Sequence, residues 1–443
     1  MFAPGILRST AALLVAGVCA SSARGSDSAG DEAAPSLPPV LTSKSALEIF
    51  RKRGFDLLVA EASVRSAEGD LVIAGAIPNP GLSTSAGKNF QCSSTQDCNV
   101  LSYSVGISDN NAVSDLVTGK RGLRKDVATA ALSAARRSRD DAQRTLEFQV
   151  KQAYTQVLLQ VALVQAAVET RDSTGHTREL NEQRFSFGAI NEGDLAKAQV
   201  AALEADQALD QAEQNLRAAK IALAFLLGYR TLVSDFEVAA RELEYDVPPA
   251  LANATRERLL DDALRTRPDL RALTYQAQRA DSALTLAHRN RIPDFALSAT
   301  YSANGFGESN ISPPNASIGV SLPLPLFYHQ RGEVTKAEAD LATQRTLVHK
   351  AEAQVVTDIE TAYAQLAGAR KLVLRMQPTL LERARKARDI VQVQYEKGAA
   401  TLLDLLDAQR TYPATRVEYA QDLAGYWNAV AALEQATGME LRP

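Results

Sequence analysis

Hydrophobic and polar residues recur along this chain with two different periods, and the two periods divide it. In LSYSVGIS, Leu101, Tyr103, Val105 and Ile107 alternate with Ser102, Ser104, Gly106 and Ser108. A period of two predicts a strand with one apolar and one small polar face. FALSATYSA sets Phe295, Leu297, Ala299 and Tyr301 against Ala296, Ser298, Thr300 and Ser302, and ASIGVSLPL sets Ile318, Val320, Leu322 and Leu324 against Ser317, Gly319, Ser321 and Pro323. GLSTSAGKNF carries the same alternation more weakly, through Leu82, Thr84 and Ala86. Elsewhere the spacing is three and four, as at Val150, Tyr154, Val157, Val161 and Val164, with Lys, Arg, Gln and Glu between them. That spacing predicts amphipathic helices. Two such segments, roughly 122–187 and 331–397, are poor in Gly and Pro. About 60 residues at about 1.5 Å each would reach about 90 Å, against a mean globular helix of about 11–12 residues. Helices of this kind pack on other helices; a separate soluble coiled coil would show the same pattern.

The pattern occurs twice. Each long helix ends at a glycine turn, FSFGAINEGDLAKAQ and YEKGAATLLDLLDAQ, so Gly188 and Gly398 stand 210 apart, and the return helices end at Gly228 and Gly438, again 210 apart. IPNPGLSTSAG at 77–87 and RIPDFALSATYS at 291–302 lead from helix into strand in both copies, and Tyr154 and Tyr363 fall at nearly the same offset. The reading is therefore a first repeat over 40–230 with a β-hairpin at 80–109, a connector over 231–255 marked by Pro248-Pro249, and a second repeat over 256–440 with a hairpin at 294–326. One helix is expected from about Arg256 to Arg289, through RTRPDLRAL, and a bend at Pro413 in the second return helix.

The N-terminal residues change what the strands mean. MFAPGILRSTAALLVAGVCASSARG has one basic residue, Arg8, ahead of an apolar run from Ala11 to Ala20, with small residues beyond, the plan of a signal peptide over 1–23. Lipidation at Cys19 is the alternative, against which stands the bulky Val18 beside it. Cys92 and Cys98 in NFQCSSTQDCNV close a short polar loop, and in an oxidising compartment they are expected to pair; a C-x5-C metal site is the rival, without a histidine or third cysteine nearby. No later stretch is apolar over about 20 residues, which predicts no spanning helix. Any one alternating run suits a sandwich strand. Four of them in two hairpins on an exported chain suit strands with lipid on one side and water on the other. Four strands cannot close, because an open edge leaves backbone groups unpaired in hydrocarbon. The chain must oligomerise, and three copies would give twelve strands. A net charge of −4 without clustered Lys and Arg argues against a nucleic-acid partner.

These features, with the phrases PNPGLS, RPDLRAL, LPLPLF and a near-terminal ATG, resemble the TolC-like outer-membrane efflux proteins over about 40–440. DLVTGKRGLRKDVATAAL and PLPLFYHQRGEVTKAEADL resemble the branch serving cobalt–zinc–cadmium type efflux. The resemblance implies a mainly α fold with a membrane β-barrel: a homotrimer whose 12-stranded barrel in the outer membrane continues as a long α-helical barrel through the periplasm. It implies docking on a periplasmic adaptor and an inner-membrane pump of the RND type, and a channel passing heavy-metal cations. The same architecture serving drug efflux or type I protein secretion is the alternative, and a periplasmic coiled-coil scaffold, lacking lipid-facing strands, is another. The resemblance also places site residues. Asp404 and Asp407 match two aspartates that ring the periplasmic mouth, and Tyr395 and Asp194 match a link that holds it shut, beside the helix-turn tips Gly188 and Gly398. The family archetype has an arginine two residues after the second glycine; this chain has Ala400, so that link is missing. Spacing i, i+3 puts Asp404 and Asp407 on one helix face, and an ion pair of Asp407 with Arg410 is equally compatible with the residues alone.

Chemistry is otherwise sparse. No G-x-S-x-G, H-E-x-x-H, P-loop or G-x-G-x-x-G motif is present, so no enzyme is expected. His176, His288, His329 and His349 form no i, i+4 pair, and only Met376 and Met439 remain beyond the signal region, so neither a metal site nor a cofactor is expected. A passive conduit needs none.

Overall fold

The structure is a computed structural model describing residues 37–88, 101–230, 236–252, 255–304, 312–376 and 380–441. The expected signal segment with Cys19, and the expected Cys92–Cys98 pairing, lie outside the described residues. In chain order the elements are β1 (Val40–Leu41), α1 (Ser43–Arg53), α2 (Phe55–Gly75), β2 (Gly81–Lys88), β3 (Leu101–Ser108), α3 (Ala112–Thr118), α4 (Lys120–Ser186) and α5 (Glu192–Leu226). After β4 (Glu237–Val238), a 3-10 turn at Ala240–Leu243 and α6 (Pro249–Ala252) come α7 (Arg256–Thr266), α8 (Pro268–Arg289), β5 (Ala296–Asn304), β6 (Ser312–Ser321), α9 (Arg331–Arg375), α10 (Leu381–Glu396) and α11 (Leu402–Thr437).

The first long helix is continuous: α4 runs for 67 residues. In the second repeat the described helical residues are α9, to Arg375, and α10, from Leu381, with α-region backbone at both Met376 and Leu380. The helix expected over 256–289 is two helices. Arg267 has φ −56° and ψ 126°, extended backbone that the following Pro268 favours over the α region. Gly54 takes nearly the same conformation, φ −55° and ψ 120°, between α1 and α2. The two halves thus break at matching places by different means. α11 continues through Pro413.

The four strands form one antiparallel sheet in the order β2-β3-β5-β6. β6 ends at Ser321, short of the expected Leu324, since Pro323 and Pro325 cannot donate to a ladder; it begins at Ser312, and its Pro313 and Pro314 fall at a shift of register against β5 between Ser302 and Asn304. Register sorts the side chains. Leu82, Ile107, Ala299 and Ile318 stand abreast, as do Thr84, Val105, Tyr301 and Ala316. The intervening rows are Ser83, Gly106, Thr300 and Ser317, then Ser85, Ser104, Ser302 and Asn315.

Below the sheet, α4 is the central helix. α2 and α8 flank it near the strands, with α9 beyond α8; towards the helix turns α5 and α11 flank it, with α10 beyond α11. Thus β2, α2 and α5 form one free edge of the layer, and β6, α9 and α10 the other. The main core lies at mid-length, where Val150, Tyr154 and Val157 of α4 meet Val355 and Ile359 of α9 and Tyr426, Trp427 and Leu433 of α11. Tyr363 is partly exposed, so it does not share the buried role of Tyr154. The connector, expected to be without regular structure, pairs with the N-terminal segment: β4 lies parallel to β1, and Tyr154 Oη donates to the Leu41 carbonyl at 3.0 Å.

Candidate functional site

The far end of the layer is built from two turns of the same design. Gly188 at φ +71° and Gly398 at φ +77° take the left-handed conformation that ends a helix without a Cβ penalty. Ala189 N–H donates to the Arg184 carbonyl and Ala399 N–H to the Gln394 carbonyl, 2.8 and 2.7 Å, closing both turns alike. Each return helix is then capped by the third residue after its glycine. Asn191 Oδ1 accepts from Asp194 N–H at 2.8 Å, and Thr401 Oγ1 from Asp404 N–H at 3.2 Å. Asp194 and Asp404 are equivalent, 210 apart.

That equivalence defines what each aspartate does. Asp404 Oδ2 accepts from Thr401 Oγ1 at 2.6 Å and from Thr401 N–H at 3.0 Å, a reciprocal capping box. The Thr401 hydroxyl, then its amide, hold the Asp404 carboxyl below the usual carboxylate range. In the single protomer this opposes the upward push that a ring of like charges would exert. Asp194 accepts from Asn191 Nδ2 at 3.0 Å and pairs with Lys197 at 3.2 Å. The residue in Lys197's place at the second turn is Asp407, so one turn carries a carboxylate and an ammonium, the other two carboxylates. Asp407 is exposed, and among the described residues no ion pair joins it to Arg410.

Tyr395 is brought to Asn181 and not to Asp194. It lies on the face of α10 buried in the layer, whereas Asp194 is held in its own helix cap. Tyr395 Oη donates to Asn181 Oδ1 at 2.6 Å, with Tyr395 4% and Asn181 0% exposed. Asn181 Nδ2 donates to the Thr177 carbonyl at 2.7 Å. Arg184, which the sequence did not single out, completes a knot between α4 and α10. Its guanidinium carbon sits 4.5 Å from the centre of the Tyr395 ring, and Nη2 donates to the Tyr395 and Glu396 carbonyls at 3.0 and 3.1 Å. A cation at a helix C-terminus is favoured by the helix dipole. Ala400, in place of the archetype's arginine, packs with Leu180, Val391 and Leu406 against Tyr395, Leu402 and Leu405. One side of α11 is tied similarly: Gln409 Nε2 donates to Ser173 Oγ and Thr177 Oγ1 at 2.8 and 2.9 Å.

At the opposite end the sheet presents its apolar rows to the surroundings, with Leu82, Ile107, Ile318 and Val320 exposed, and a Ser–Gly–Thr face on the other side. Ser85 and Ser104 hydroxyls meet at 2.8 Å across that face. No helix among the described residues is long and apolar enough to cross a membrane. Nor do the described residues contain a group of three or more His, Cys, Asp or Glu able to hold a metal ion. His349 Nδ1 lies 3.2 Å from Glu352 on an exposed helix face.

Comparison with known proteins agrees with this construction. The cobalt-zinc-cadmium resistance protein CzcC of Cupriavidus metallidurans is 26% identical over 408 residues, 90% of each chain. The pyoverdine export outer membrane protein OpmQ of Pseudomonas aeruginosa is 28% identical over 401 residues, 87% of this chain and 81% of that one. The crystal structure of CusC, from work on its folding and transmembrane channel formation, superimposes with a TM-score of 0.72 at 18% identity, over 90% of this chain and 92% of CusC. The profile of the outer membrane efflux proteins matches residues 46–229 and 259–439, on either side of the connector, and the chain belongs to that family.

Proposed function

We propose that three copies of this chain join edge to edge into a closed channel, a 12-stranded barrel in the outer membrane continued by a periplasmic helical barrel, built from two duplicated repeats. The observation that carries this reading is the sheet. It has one apolar and one Ser–Gly–Thr face and two unpaired edges, β2 and β6, which hydrocarbon does not tolerate. The free edges of the helical layer fall on the same two sides, so one rotation about a common axis pairs β6, α9 and α10 of each copy with β2, α2 and α5 of the next. Such a heterologous contact closes into a ring. The helix turns then gather at the periplasmic mouth, where a pump and its adaptor deliver solute, and Asp404 and Asp407 of three chains form a carboxylate ring. The pump is of the RND type, as in tripartite efflux systems.

The cargo is a heavy-metal cation, a reading that rests on the CzcC relative and on a mouth that gathers carboxylates and attracts cations. Export of a metal-chelating siderophore is the second reading, favoured by the comparable identity to OpmQ. In this reading the pump selects the solute and the channel conducts it. Mass measurement in detergent should give a trimer, and a monomer would end the proposal. A strain lacking the chain should become sensitive to cobalt, zinc or cadmium; sensitivity to siderophore accumulation with unchanged metal tolerance would favour the second reading.

A further inference from the structure

The short helix α3, between β3 and the long α4, is amphipathic in a way that packing within the protomer does not use. Its polar face is fully committed. Ser114, Asp115 and Thr118 are buried; Arg124 grips Asp115 with two hydrogen bonds of 3.0 and 2.5 Å. Ser114 Oγ donates to Asp294 Oδ1 at 3.3 Å and accepts from Phe295 N–H at 3.2 Å. Asp109 accepts from Val113 N–H of α3 and Leu297 N–H of β5, 3.1 and 2.7 Å. Lys120, 3% exposed, follows with 2.6 Å to Asp294 and 2.7 Å to the Ile292 carbonyl. So fastened, the helix cannot turn its other face inward. That face is Val113, Leu116 and Val117, the last two each 71% exposed.

The place of α3 in the layer decides what covers it. It packs against β5, a central strand, and α4, the central helix, away from both edges at which another copy would join. Its exposed face therefore points off the surface of the layer, either into the duct or away from it. The duct-facing side of the sheet is Ser, Gly and Thr, while the other side carries Leu82, Ile107 and Ile318 and, one row nearer the helices, Leu297 and Val320, so an apolar helix face at this end matches the apolar side and not the polar one. Further exposed apolar residues border the other strand ends: Ile77 before β2, Ile292 before β5 and Phe327 after β6. Nearby stand Lys125, Arg291 and Arg331, exposed cations without an ion pair among the described residues.

From this geometry we infer that α3 is an interfacial helix that seats the barrel in the periplasmic leaflet. Val113, Leu116 and Val117 enter the acyl chains of phospholipid, and Lys125 and Arg291 meet the phosphates. An apolar helix face bordered by cations is the pattern that binds the boundary between headgroups and chains, and Arg or Lys near that boundary gains from phosphate contact. The pair of buried Lys120 with half-exposed Asp294 ties this seat to the first turn of the helical barrel, so depth in the membrane is set where barrel and tunnel meet. The inference rests on the barrel reading above.

Tryptophan at two positions tests it. Leu116→Trp and, separately, Val320→Trp on β6 are placed in the full chain and reconstituted in phosphatidylethanolamine–phosphatidylglycerol vesicles with brominated acyl chains; Trp427, buried in the helical layer, supplies a constant background. Both new tryptophans should lose about half of their emission to the brominated lipid and resist iodide, as for side chains in the interface and below it. If Val320→Trp is quenched by lipid while Leu116→Trp is quenched by iodide, the barrel stands and the seat is overturned. Protection of Leu116→Trp from both quenchers would place α3 against protein and also overturn it. Failure of lipid to quench Val320→Trp would remove the barrel reading, and this inference with it.

Discussion

Phenylalanine at Tyr395 tests whether the knot at the helix turns holds the mouth closed. The substitution keeps the ring under Arg184 and removes one atom, the hydroxyl that donates to Asn181 Oδ1 at 2.6 Å in a site where both residues are buried. Asn181 Nδ2 is already bonded to Thr177, so the carboxamide cannot recover by rotating without losing that bond. A buried acceptor left without a donor costs about 1–3 kcal/mol. If α10 separates from α4 when the mouth opens, Asn181 meets water in the open state and the penalty falls on the closed state alone. The closed-to-open ratio should then drop roughly 5- to 150-fold, at about 1.4 kcal/mol per tenfold. Single-channel recording in planar bilayers would show longer openings or higher mean conductance. Asn181→Leu combined with Tyr395→Phe removes donor and acceptor together and should restore stability without restoring the link. Asp194→Asn should do little, because Asp194 serves its own helix cap. The reasoning is refuted if Tyr395→Phe lowers the melting temperature yet leaves conductance unchanged, since the bond would then persist in the open channel.

The sequence revealed most about the parts whose order is periodic. Alternation over eight to ten residues located all four strands and their faces, because one-residue register errors would exchange the Ser–Gly rows for the Leu–Ile rows. Helical periodicity located α4 but carried past Arg267, where a single local backbone constraint outweighs the pattern around it. The paired turns at Gly188 and Gly398 were legible because glycine is the residue that a left-handed helix end selects. What they hold together was not. Arg184 and Asn181 are ordinary residues on a polar helix, and their meeting with Tyr395 depends on how α4 and α10 lie against each other over a separation of more than 200 positions. One signal was readable and passed over. Subtracting the repeat offset sets Asp404 on Asp194 and Asp407 on Lys197, which marks Asp404 as the partner of a helix cap and Asp407 as the residue peculiar to the second turn.

That distinction separates the remaining predictions. Asp404→Ala and Asp407→Ala together should reduce cation selectivity in planar bilayers, but Asp407→Ala alone should do so without loss of helix stability, whereas Asp404→Ala should also loosen the start of α11 by removing its half of the capping box; unchanged selectivity in the double variant would return both to a solvated helix face. Gly188→Ala meets no neighbour and should cost only the backbone strain of about 1–2 kcal/mol, while Gly228→Ala, whose Cβ would lie 2.2 Å from the Arg53 carbonyl oxygen, should prevent folding or displace α1; equal effects in thermal melts would contradict the packing. Arg267→Met should be the most damaging charge change. Its guanidinium, 3% exposed, binds Asp269 at 2.6 Å, Asp358 at 2.9 Å and the Ala436 carbonyl at 3.1 Å, joining α8, α9 and α11. Because those carboxylates retain some solvent, the loss should sit near the lower end for a broken buried pair, about 3 kcal/mol. Burial raises the Asp269 carboxyl, but the Arg267 hydrogen bond and charge, helped by Arg144, outweigh it and leave it below the usual range. A depressed carboxylate adds stability that is fully present above its unfolded value of about 3.9 and is lost as pH falls through the lower folded value. Acidification below about pH 4 should therefore narrow the stability gap between Arg267→Met and the parent chain, and denaturant titrations showing a gap independent of pH would remove the pairing as its cause.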